Sequence, residues 1–276
     1  MNDVNRSTPH LIGQGALALL LAILAIIACY PFAYMLLLSF TNNDTLYLSL
    51  KDIVPDLHNY EAVFQRIDFA NALKNSILVS IVTCALNCLL CAMAAYGLEK
   101  KRFAGSKAVF AIYLATLAVP GQVTMIPVFL MMKDMGLMNS YIALILPSCD
   151  AFGVFLIKQF MTSVPDTLLE AADIDGAGEI YKFSQITIPL ITPALISLTV
   201  FTFISSWNSF LWPLVICTDG SMQTLTVALS LLKGRFETNY GLVMAGSTMT
   251  FLIPFLLYIC LQKQFVEGIA LSGTKE

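Results

Sequence analysis

Residues 71–105 read NALKNSILVSIVTCALNCLLCAMAAYGLEKKRFAG, in which an apolar run over 72–98 is followed by a cluster of basic residues. A helix rises about 1.5 Å per residue, so crossing a hydrocarbon core of about 30 Å takes about 20 apolar residues. The whole chain is 58% hydrophobic and 12% charged, whereas an average soluble domain has about 45–50% apolar and about 25% charged residues. A soluble core cannot hide that much apolar surface at this chain length. The sequence therefore predicts an integral membrane protein.

Five other segments are long and apolar enough to span a bilayer. Backbone groups in lipid must form their hydrogen bonds within the segment, so each span must be helical. The first segment also resembles a secretion signal, because IIAC ends at Cys29, but its apolar run continues through residues 30–40 and we expect an uncleaved span. The predicted fold is all-α with six transmembrane helices: 11–40, 72–98, 108–132, 141–161, 188–217 and 241–262.

Basic residues in the short loops predict the orientation. The loop EKKRFAGSK (99–107) carries four Lys and Arg residues, whereas KDMGLMNS (133–140) carries only Lys133. The positive-inside rule then places 99–107 in the cytoplasm. Counting the spans from there predicts cytoplasmic segments at 1–10, 162–187 and 263–276, and extracytoplasmic loops at 41–71 and 218–240.

Charge and cysteine usage narrow the function classes. The net charge of −3 without a basic stripe argues against a nucleic-acid partner. Cys84, Cys88 and Cys91 would share a helix face, but no His joins them, so we expect apolar packing and no metal site. The odd total of seven cysteines argues against a disulfide framework.

The loop 162–187 contains a compact acidic stretch. SVPDTLLEAADIDGAGEIYKF (163–183) predicts a short helix, a break at Gly176 and Gly178, and a second short helix. Ser163 or Asp166 is the expected N-terminal cap, with Pro165 in the first turn. Helical spacing puts two groups of residues on opposite sides. The group expected to face the spans is Leu168, Leu169, Ala172 and Gly176, and the group expected to face outward is Glu170, Asp173 and Ile174.

Two interpretations of this loop remain open on its residues alone. The charges could simply keep a solvated loop in water. Against that, an acidic loop is repelled by an anionic membrane surface, and its apolar side chains are too many for an unattached linker. The second interpretation is a docking face for another protein. The apolar side chains concerned are Leu169, Ile174, Ile180, Tyr181 and Phe183.

The loop resembles a known motif. Glu170-Ala171-Ala172, Gly176 four residues later, and Ile186-Thr187-Ile188-Pro189 are similar to the EAA loop of ABC-importer permeases, with Ile188 where that family usually has Leu. Three further stretches and residues 71–105 resemble the carbohydrate-uptake branch, and specifically its maltose-type second permease subunit. These stretches are VPGQVTMIPVFL (119–130), WNSFLWPL (207–214) and QFVEGIALSGTKE (264–276).

The resemblance implies a type I importer permease fold, with residues 72–262 as the core permease domain, in the plasma membrane of a bacterium or archaeon. It implies that the loop is a coupling helix that docks on a cytoplasmic ATPase. The implied partners are a second permease subunit, two ATPase subunits, an extracytoplasmic solute-binding protein, a sugar and the lipid bilayer. The residues that it assigns to ATPase coupling are Glu170, Ala171, Ala172, Asp173, Asp175 and Gly176.

The chain carries no G-x-x-x-x-G-K-[ST] phosphate-binding motif. We therefore expect no cofactor and no catalytic residue in this chain, with ATP and Mg²⁺ bound by the partner ATPase. The expected role is transport and not enzymatic catalysis.

Polar residues inside the predicted spans are candidates for a solute pathway. Asp150, about nine residues into the fourth span, is either an acceptor for sugar hydroxyls, a structural contact to the partner permease, or a protonated or locally satisfied side chain near Ser148 and a kink at Pro147.

Three further pathway candidates lie beside prolines or aromatic residues. Gln122 lies between Pro120 and Pro127, which should both interrupt regular helix bonding. Trp207 and Asn208 combine an aromatic face with an amide, as sugar sites do, although the tryptophan could instead anchor or pack the span.

The function predicted is therefore import of sugars or oligosaccharides by alternating access. A permease for another polar solute such as glycerol phosphate is an alternative. An ion-coupled secondary transporter is a weaker one, because a single deep carboxylate makes a poor ion relay. An intramembrane enzyme is disfavoured, because the spans contain no His and only one carboxylate.

Overall fold

The computed structural model describes residues 8–41, 46–47, 53, 57–101, 103–233 and 239–273. The predicted segments 1–10, 41–71, 218–240 and 263–276 lie partly outside these residues. Within the described residues there is no β-strand, and a single isolated antiparallel bridge pairs Thr41 with Ile53. The α-helices are α1 (Thr8–Leu38), α2 (His58–Arg66), α3 (Phe69–Glu99), α4 (Ser106–Leu117), α5 (Gly121–Asp134), α6 (Tyr141–Ile145), α7 (Ala151–Met161), α8 (Asp166–Ile174), α9 (Glu179–Tyr181), α10 (Ile188–Leu190), α11 (Thr192–Trp207), α12 (Leu211–Ile216), α13 (Leu225–Ser230) and α14 (Tyr240–Gly273). The shorter turns are 3₁₀ at Leu146–Ser148 and Gly220–Met222 and π-helical at Lys182–Thr187.

Three helices are long and apolar enough to cross a bilayer by themselves: Gln14–Leu38, Phe69–Glu99 and Tyr240–Gln262. Three more segments are apolar enough when two helices joined at a bend are taken together, so the described residues hold three candidate spans, or up to six if each bent pair is one span. The prediction of an all-helical protein is confirmed for the described residues, and these segments have the length and composition of membrane spans. The bent pairs are Ser106–Leu117 with Gly121–Asp134, Tyr141–Ser148 with Ala151–Met161, and Glu179–Leu190 with Thr192–Trp207.

The sharpest bend lies at Pro120, where the axes of α4 and α5 differ by 102°. Proline has no backbone N–H and disfavours a helical conformation in the residue before it, so α4 cannot continue through this position. Pro127 lies inside α5, and the helix continues on both sides of it. Both prolines remove a backbone donor, as expected, but only Pro120 coincides with the end of a helix, because a single missing hydrogen bond is tolerated inside α5.

The predicted span 141–161 is bent by 47° where α6 and its 3₁₀ turn meet α7. This agrees with the kink expected near Pro147. The predicted span 188–217 is not one continuous helix, because α11 ends at Trp207 and α12 begins at Leu211. Pro213 accounts for this break, since its ring would clash with the carbonyl four residues earlier in a continuous helix.

The chain divides into two compact units, and the larger one comprises Asp68–Ser230 and Thr250–Glu276. At its centre α3 packs against both α7 and α11. Ala95, Ile157 and Leu198 are fully buried there. A Cβ on Gly153 would lie 2.5 Å from Cys91 Sγ. Close packing around Cys91 thus requires glycine on α7.

Small polar residues form a seam between α3 and α11. Ser80 Oγ donates to Ser206 Oγ at 3.3 Å, and Asn87 Nδ2 donates to Thr202 Oγ1 at 3.0 Å. Cys88 Sγ lies 3.2 Å from Thr199 Oγ1. Such residues hold helices together in lipid, where apolar contact alone gives no preference for protein over lipid tails.

Loops gather at the two ends of α3, which is 31 residues long and therefore about 46 Å from end to end. At its C-terminal end, Lys100 Nζ donates to Val164 O at 2.6 Å. Near its N-terminal end, Asn75 Nδ2 donates to the carbonyls of Ser221 and Gln223 at 2.9 and 3.0 Å. The loops 99–107 and 162–187 consequently lie at one end of α3, and the segment around Ser221 lies at the other.

The smaller unit comprises Met1–Ile67 and Leu231–Met249. Asn59 Nδ2 donates to the carbonyls of Ser39 and Thr41, both at 2.8 Å. A Cβ on Gly241 would overlap Thr41 O, so a glycine is needed for this approach. Residues 14–33 of α1 are exposed along their length, which is the surface that a helix in contact with lipid presents.

Candidate functional site

The first candidate site is the coupling segment, which we define as residues 162–187. Its first helix, α8, begins after Pro165 and ends in a left-handed turn at Gly176, whose φ is +76°. The N–H of Ala177 donates to Ala172 O at 2.8 Å, and the N–H of Gly176 donates to Asp173 O at 3.1 Å. This pair of bonds is a Schellman motif, which favours glycine at the left-handed position. The predicted arrangement of helix, glycine break and second helix matches the structure.

The predicted N-terminal cap is wrong. No side chain caps α8. Ser163 Oγ donates back to Phe160 O at 2.7 Å, and Asp166 Oδ1 accepts a hydrogen bond from Lys100 Nζ at 2.6 Å. Both side chains therefore form hydrogen bonds with groups outside α8 and do not cap its first turn.

One face of α8 packs against other helices of the larger unit, as predicted. Ala172 is buried, and Leu169 packs against the cluster around Ile157. Leu168 departs from the prediction, because its side chain is 44% exposed and lines an outer cleft. Its spacing puts Leu168 at the edge of the buried arc, so a small rotation of α8 is enough to expose it.

Three lysines hold the coupling segment in place, and we call Lys100, Lys101 and Lys182 the lysine latch. Lys182 Nζ lies 2.5 Å from Asp173 Oδ1 and 2.6 Å from Glu179 Oε1, and its side chain is only 4% exposed. Lys101 Nζ lies 2.5 Å from Glu179 Oε2. Asp173 was expected to project outward, and its side chain is 59% exposed; it also pairs with Lys182, because a nearly buried ammonium needs carboxylate partners.

The latch also sets the charge state of the segment. Lys101 and then Lys182 hold the pKa of the Glu179 carboxyl at about 2. Asp173 and then Glu179 raise the pKa of Lys182 above its usual range. Glu179 and Lys182 therefore stay charged throughout the physiological pH range.

The outer face of the coupling segment carries the groups that the latch leaves unused. Glu170 and Asp175 are exposed and form no ion pair with any described residue. Ile174 is 88% exposed and Ile180 is 83% exposed. Beside them lies an open cleft of about 530 Å³. The cleft is lined by Leu168, Ala171, Ala172, Asp175, Ala177, Gly178, Tyr181 and Ile186.

The six predicted coupling residues thus have four different positions. Ala171, Ala172 and Asp175 line the outer cleft. Glu170 is exposed beside them, whereas Asp173 belongs to the latch and Gly176 forms the turn. An exposed surface with two carboxylates, two isoleucines and small residues has the chemistry to receive a protein partner with a basic and an apolar group.

The second candidate site is a pair of adjoining cavities in the larger unit, of about 640 and 210 Å³. Gln122 and Asn208 line the larger cavity, and Asp150 lines the smaller one. Three of the four predicted pathway residues are thereby brought to one connected surface. The residues shared by both cavities are Pro147, Ser148, Ser205 and Ser209.

Asp150 does not lie within a continuous helix. It is the N-cap of α7, and its Oδ1 accepts a hydrogen bond from Gly153 N at 3.1 Å. Local satisfaction, one of the alternatives left open, is therefore correct for that oxygen. Asp150 is nevertheless exposed and lines the smaller cavity, so its side chain is accessible to a bound group there.

Trp207 lines neither cavity, so the predicted pathway role is wrong for this residue and the packing alternative is right. Its side chain is buried and stacks on Phe203 with ring centroids 5.5 Å apart, and Nε1 has no hydrogen-bond partner among the described residues. The ring faces inward because Trp207 lies four residues after the buried Phe203, on the same face of α11. Trp212 instead lines the larger cavity and donates from Nε1 to Ala143 O at 2.9 Å.

Sequence reasoning missed the polar face of α3 and the role of Lys182. The polar face was visible as residues spaced four, three, four and four positions apart, which is helical periodicity. Its members are Ser76, Ser80, Thr83, Asn87 and Cys91. Lys182 had no comparable signal, because a single lysine near carboxylates is an ordinary feature of a loop.

Known proteins with similar sequences are components of membrane transport systems. The family described as "Binding-protein-dependent transport system inner membrane component" matches residues 88–269. The arabinooligosaccharides transport system permease protein AraQ of Halalkalibacterium halodurans is 33% identical, over 92% of this chain and 94% of its own. The lactose transport system permease protein LacG of Rhizobium radiobacter is 30% identical, over 98% of each chain.

Solved structures are similar as well. A chain from a bacterial ABC transporter involved in the import of the acidic polysaccharide alginate superposes with a TM-score of 0.79 at 25% identity, covering 96% of this chain and 100% of that one. A chain from a complex of a bacterial alginate ABC transporter with an alginate pentasaccharide-bound periplasmic protein gives a TM-score of 0.62 at 17% identity, covering 90% and 93%. At that identity the second likeness shows the fold alone.

Proposed function

The chain belongs to the family of binding-protein-dependent transport system inner membrane components, and from this premise we propose that it is the permease subunit of an ATP-driven importer for sugars or oligosaccharides. The sugar transport named for relatives such as AraQ and LacG, which match this chain over nearly their whole length, supports the solute class. The polar cavities beside α3 and α11 support a solute pathway in this chain.

The proposed topology has six spans with both termini in the cytoplasm. Each bent helix pair is then a single span. The basic loop 99–107 and the coupling segment lie together at one end of α3, which supports a shared cytoplasmic side. At the other end, Asn139 Nδ2 donates to Thr218 Oγ1 at 3.0 Å, which supports a shared extracytoplasmic side for 133–140 and 218–240.

The observation that carries the proposal is that only some carboxylates of the coupling segment form ion pairs within the chain. All four carboxylates are exposed, but the lysine latch pairs with Asp173 and Glu179, whereas Glu170 and Asp175 form no ion pair with a described residue and lie beside exposed isoleucines. A rigid helix with an unpaired carboxylate and a small-residue cleft is suited to dock on an ATPase subunit through a charge-assisted contact. ATP and Mg²⁺ are bound by that separate chain.

In the proposed cycle, two ATPase subunits close on ATP and move the coupling segments of this chain and of a second permease. The latch transmits that movement to α3, because Lys100 and Lys101 follow directly on its C-terminal end. The cavities then alternate between the two sides of the membrane, and an extracytoplasmic binding protein delivers the solute.

Charge reversal at Glu170 tests this function. We expect Glu170→Arg to reduce co-purification of the ATPase subunits with the affinity-tagged chain by at least about tenfold, because it places a cation against the partner's basic group. The matched control is Glu61→Arg, an exposed carboxylate on α2 in a predicted extracytoplasmic segment. Equal ATPase recovery and equal solute uptake from both variants would contradict the docking role.

A further inference from the structure

The two adjoining cavities have an unusual charge distribution. Among the described residues that line them there is no Lys, Arg or His, and the single charged side chain is Asp150. The other polar groups are neutral hydroxyls and amides. These groups are Thr83, Gln122, Thr124, Ser148, Thr202, Ser205, Ser206, Asn208 and Ser209.

Thr83 points to a ligand in the smaller cavity. Its side chain is fully buried in the chain, it lines the cavity, and Oγ1 has no hydrogen-bond partner among the described residues. The neighbouring polar residues of α3, Ser80 and Asn87, are each paired with α11. A buried hydroxyl without a partner is costly, so the arrangement favours a bound group that exchanges hydrogen bonds with it.

Asp150 is well placed to select on charge. Its Oδ1 is held by Gly153 N, which fixes the carboxylate at the cavity. A sugar hydroxyl donates to a carboxylate, whereas a second anion is repelled by it. A solute carboxylate or phosphate would also lose its hydration without gaining a cationic partner from this surface.

We propose that these cavities form the solute surface of this chain and that it takes a neutral polyhydroxylated solute and disfavours an anionic one, with Asp150 as the residue that excludes anions. The inference rests on the proposed importer function and narrows its solute class. This solute preference would distinguish the chain from importers of acidic sugars and from importers of phosphorylated polyols.

The test measures electrostatic access to the cavity directly. Ser205→Cys is introduced in a Cys149→Ser background, which removes the thiol next to Asp150. The complete importer is purified with its partner subunits and reacted with a cationic (trimethylammonioethyl) or an anionic (sulfonatoethyl) methanethiosulfonate. Site-resolved mass spectrometry follows modification at position 205 separately from the other cysteines.

We expect the cationic reagent to react about fivefold faster than the anionic one, relative to their rates with a simple thiol. Asp150→Asn should abolish this preference and keep the fold, because Asn is as good an N-cap as Asp. The control is Asp134→Asn, an exposed carboxylate at the end of α5 that lines neither cavity. It should leave the preference unchanged.

Solute protection provides the second arm. In the protein that retains Asp150, the neutral trisaccharide raffinose should slow labelling of the thiol introduced at position 205, whereas the anionic trisaccharide trigalacturonate should not. In the Asp150→Asn variant, trigalacturonate should also slow this labelling. Equal protection by both solutes in the protein that retains Asp150, or a charge preference that survives Asp150→Asn, would overturn the inference. Failure of the proposed function is seen separately, as absence of ATP-driven sugar uptake by vesicles that contain the native importer.

Discussion

Lys182 decides which carboxylates of the coupling segment remain available to a partner. Its ammonium is buried and lies within 2.6 Å of both Asp173 and Glu179. Both acids are therefore paired within the chain, although they belong to the same acidic stretch, EAADIDGAGE (170–179), as Glu170 and Asp175. Two of its carboxylates are therefore paired with Lys182, and the other two form no ion pair with a described residue.

Removing this ammonium should uncouple transport from ATP hydrolysis. Lys182→Met keeps most of the side-chain volume but loses both ion pairs. We therefore expect the amount of solute transported per ATP hydrolysed to fall about tenfold, a factor that corresponds to a typical coupling free energy. The ratio is measured in proteoliposomes that contain the complete importer. Lys74→Met, at an exposed position near the other end of α3, is the control. A normal ratio in Lys182→Met would exclude a coupling role for the latch.

The latch should not respond to pH in the range in which cells grow. The folded-state pKa of Glu179, at about 2, lies below its ordinary value because of Lys101 and Lys182. Its contribution to stability is therefore fully present above the ordinary carboxyl pKa and is lost only as the pH falls toward 2.

The stability of α8 depends on the turn that ends it. Gly176 adopts φ +76°, which L-residues with a Cβ rarely adopt, while Gly178 has φ −72°. Neither glycine has a neighbouring atom within 4 Å of a Cβ placed on it. The two positions therefore differ in backbone conformation and not in available space.

This pair allows a matched experiment. Gly176→Ala should destabilise the end of α8 by about 1 kcal/mol, because the left-handed conformation is strained with a Cβ, whereas Gly178→Ala should have little effect. Amide hydrogen exchange over residues 166–187 reports the difference as faster exchange in Gly176→Ala. Equal exchange in both variants would mean that the Schellman turn does not stabilise the segment.

The helix α3 connects the functional parts of the larger unit. Lys100 and Lys101, immediately after its C-terminal end, belong to the latch, Thr83 in its middle lines the smaller cavity, and Asn75 holds the segment around Ser221. A displacement of the coupling segment therefore reaches the cavity through one continuous helix. We interpret α3 as the transmission element of this subunit.

The proposed topology is tested by access from the two sides of the membrane. A membrane-impermeant maleimide should label Thr218→Cys in intact cells, and it should label Ser163→Cys only after permeabilisation. Both substituted side chains are exposed. The native chain provides the background signal of its own cysteines. Labelling of both positions from the same side would rule out the proposed topology.

The sequence alone determined the helical class, the approximate positions of the apolar segments, the motif of the coupling segment and its glycine break. These properties are local: composition, run length and helical period act within one segment, and a backbone in lipid has no alternative to internal hydrogen bonding. The bends at Pro120 and near Pro147 follow from the same local chemistry.

Only the tertiary structure decided which acids are latched, that Trp207 packs inward, and that Gln122, Asp150 and Asn208 share one connected surface with Thr83. Lys101 and Glu179, or Thr83 and Asp150, are far apart in the chain and meet only because α3 packs against α7 and the coupling segment folds back onto the end of α3. Their pairing depends on how whole helices pack, which no local pattern of residues encodes.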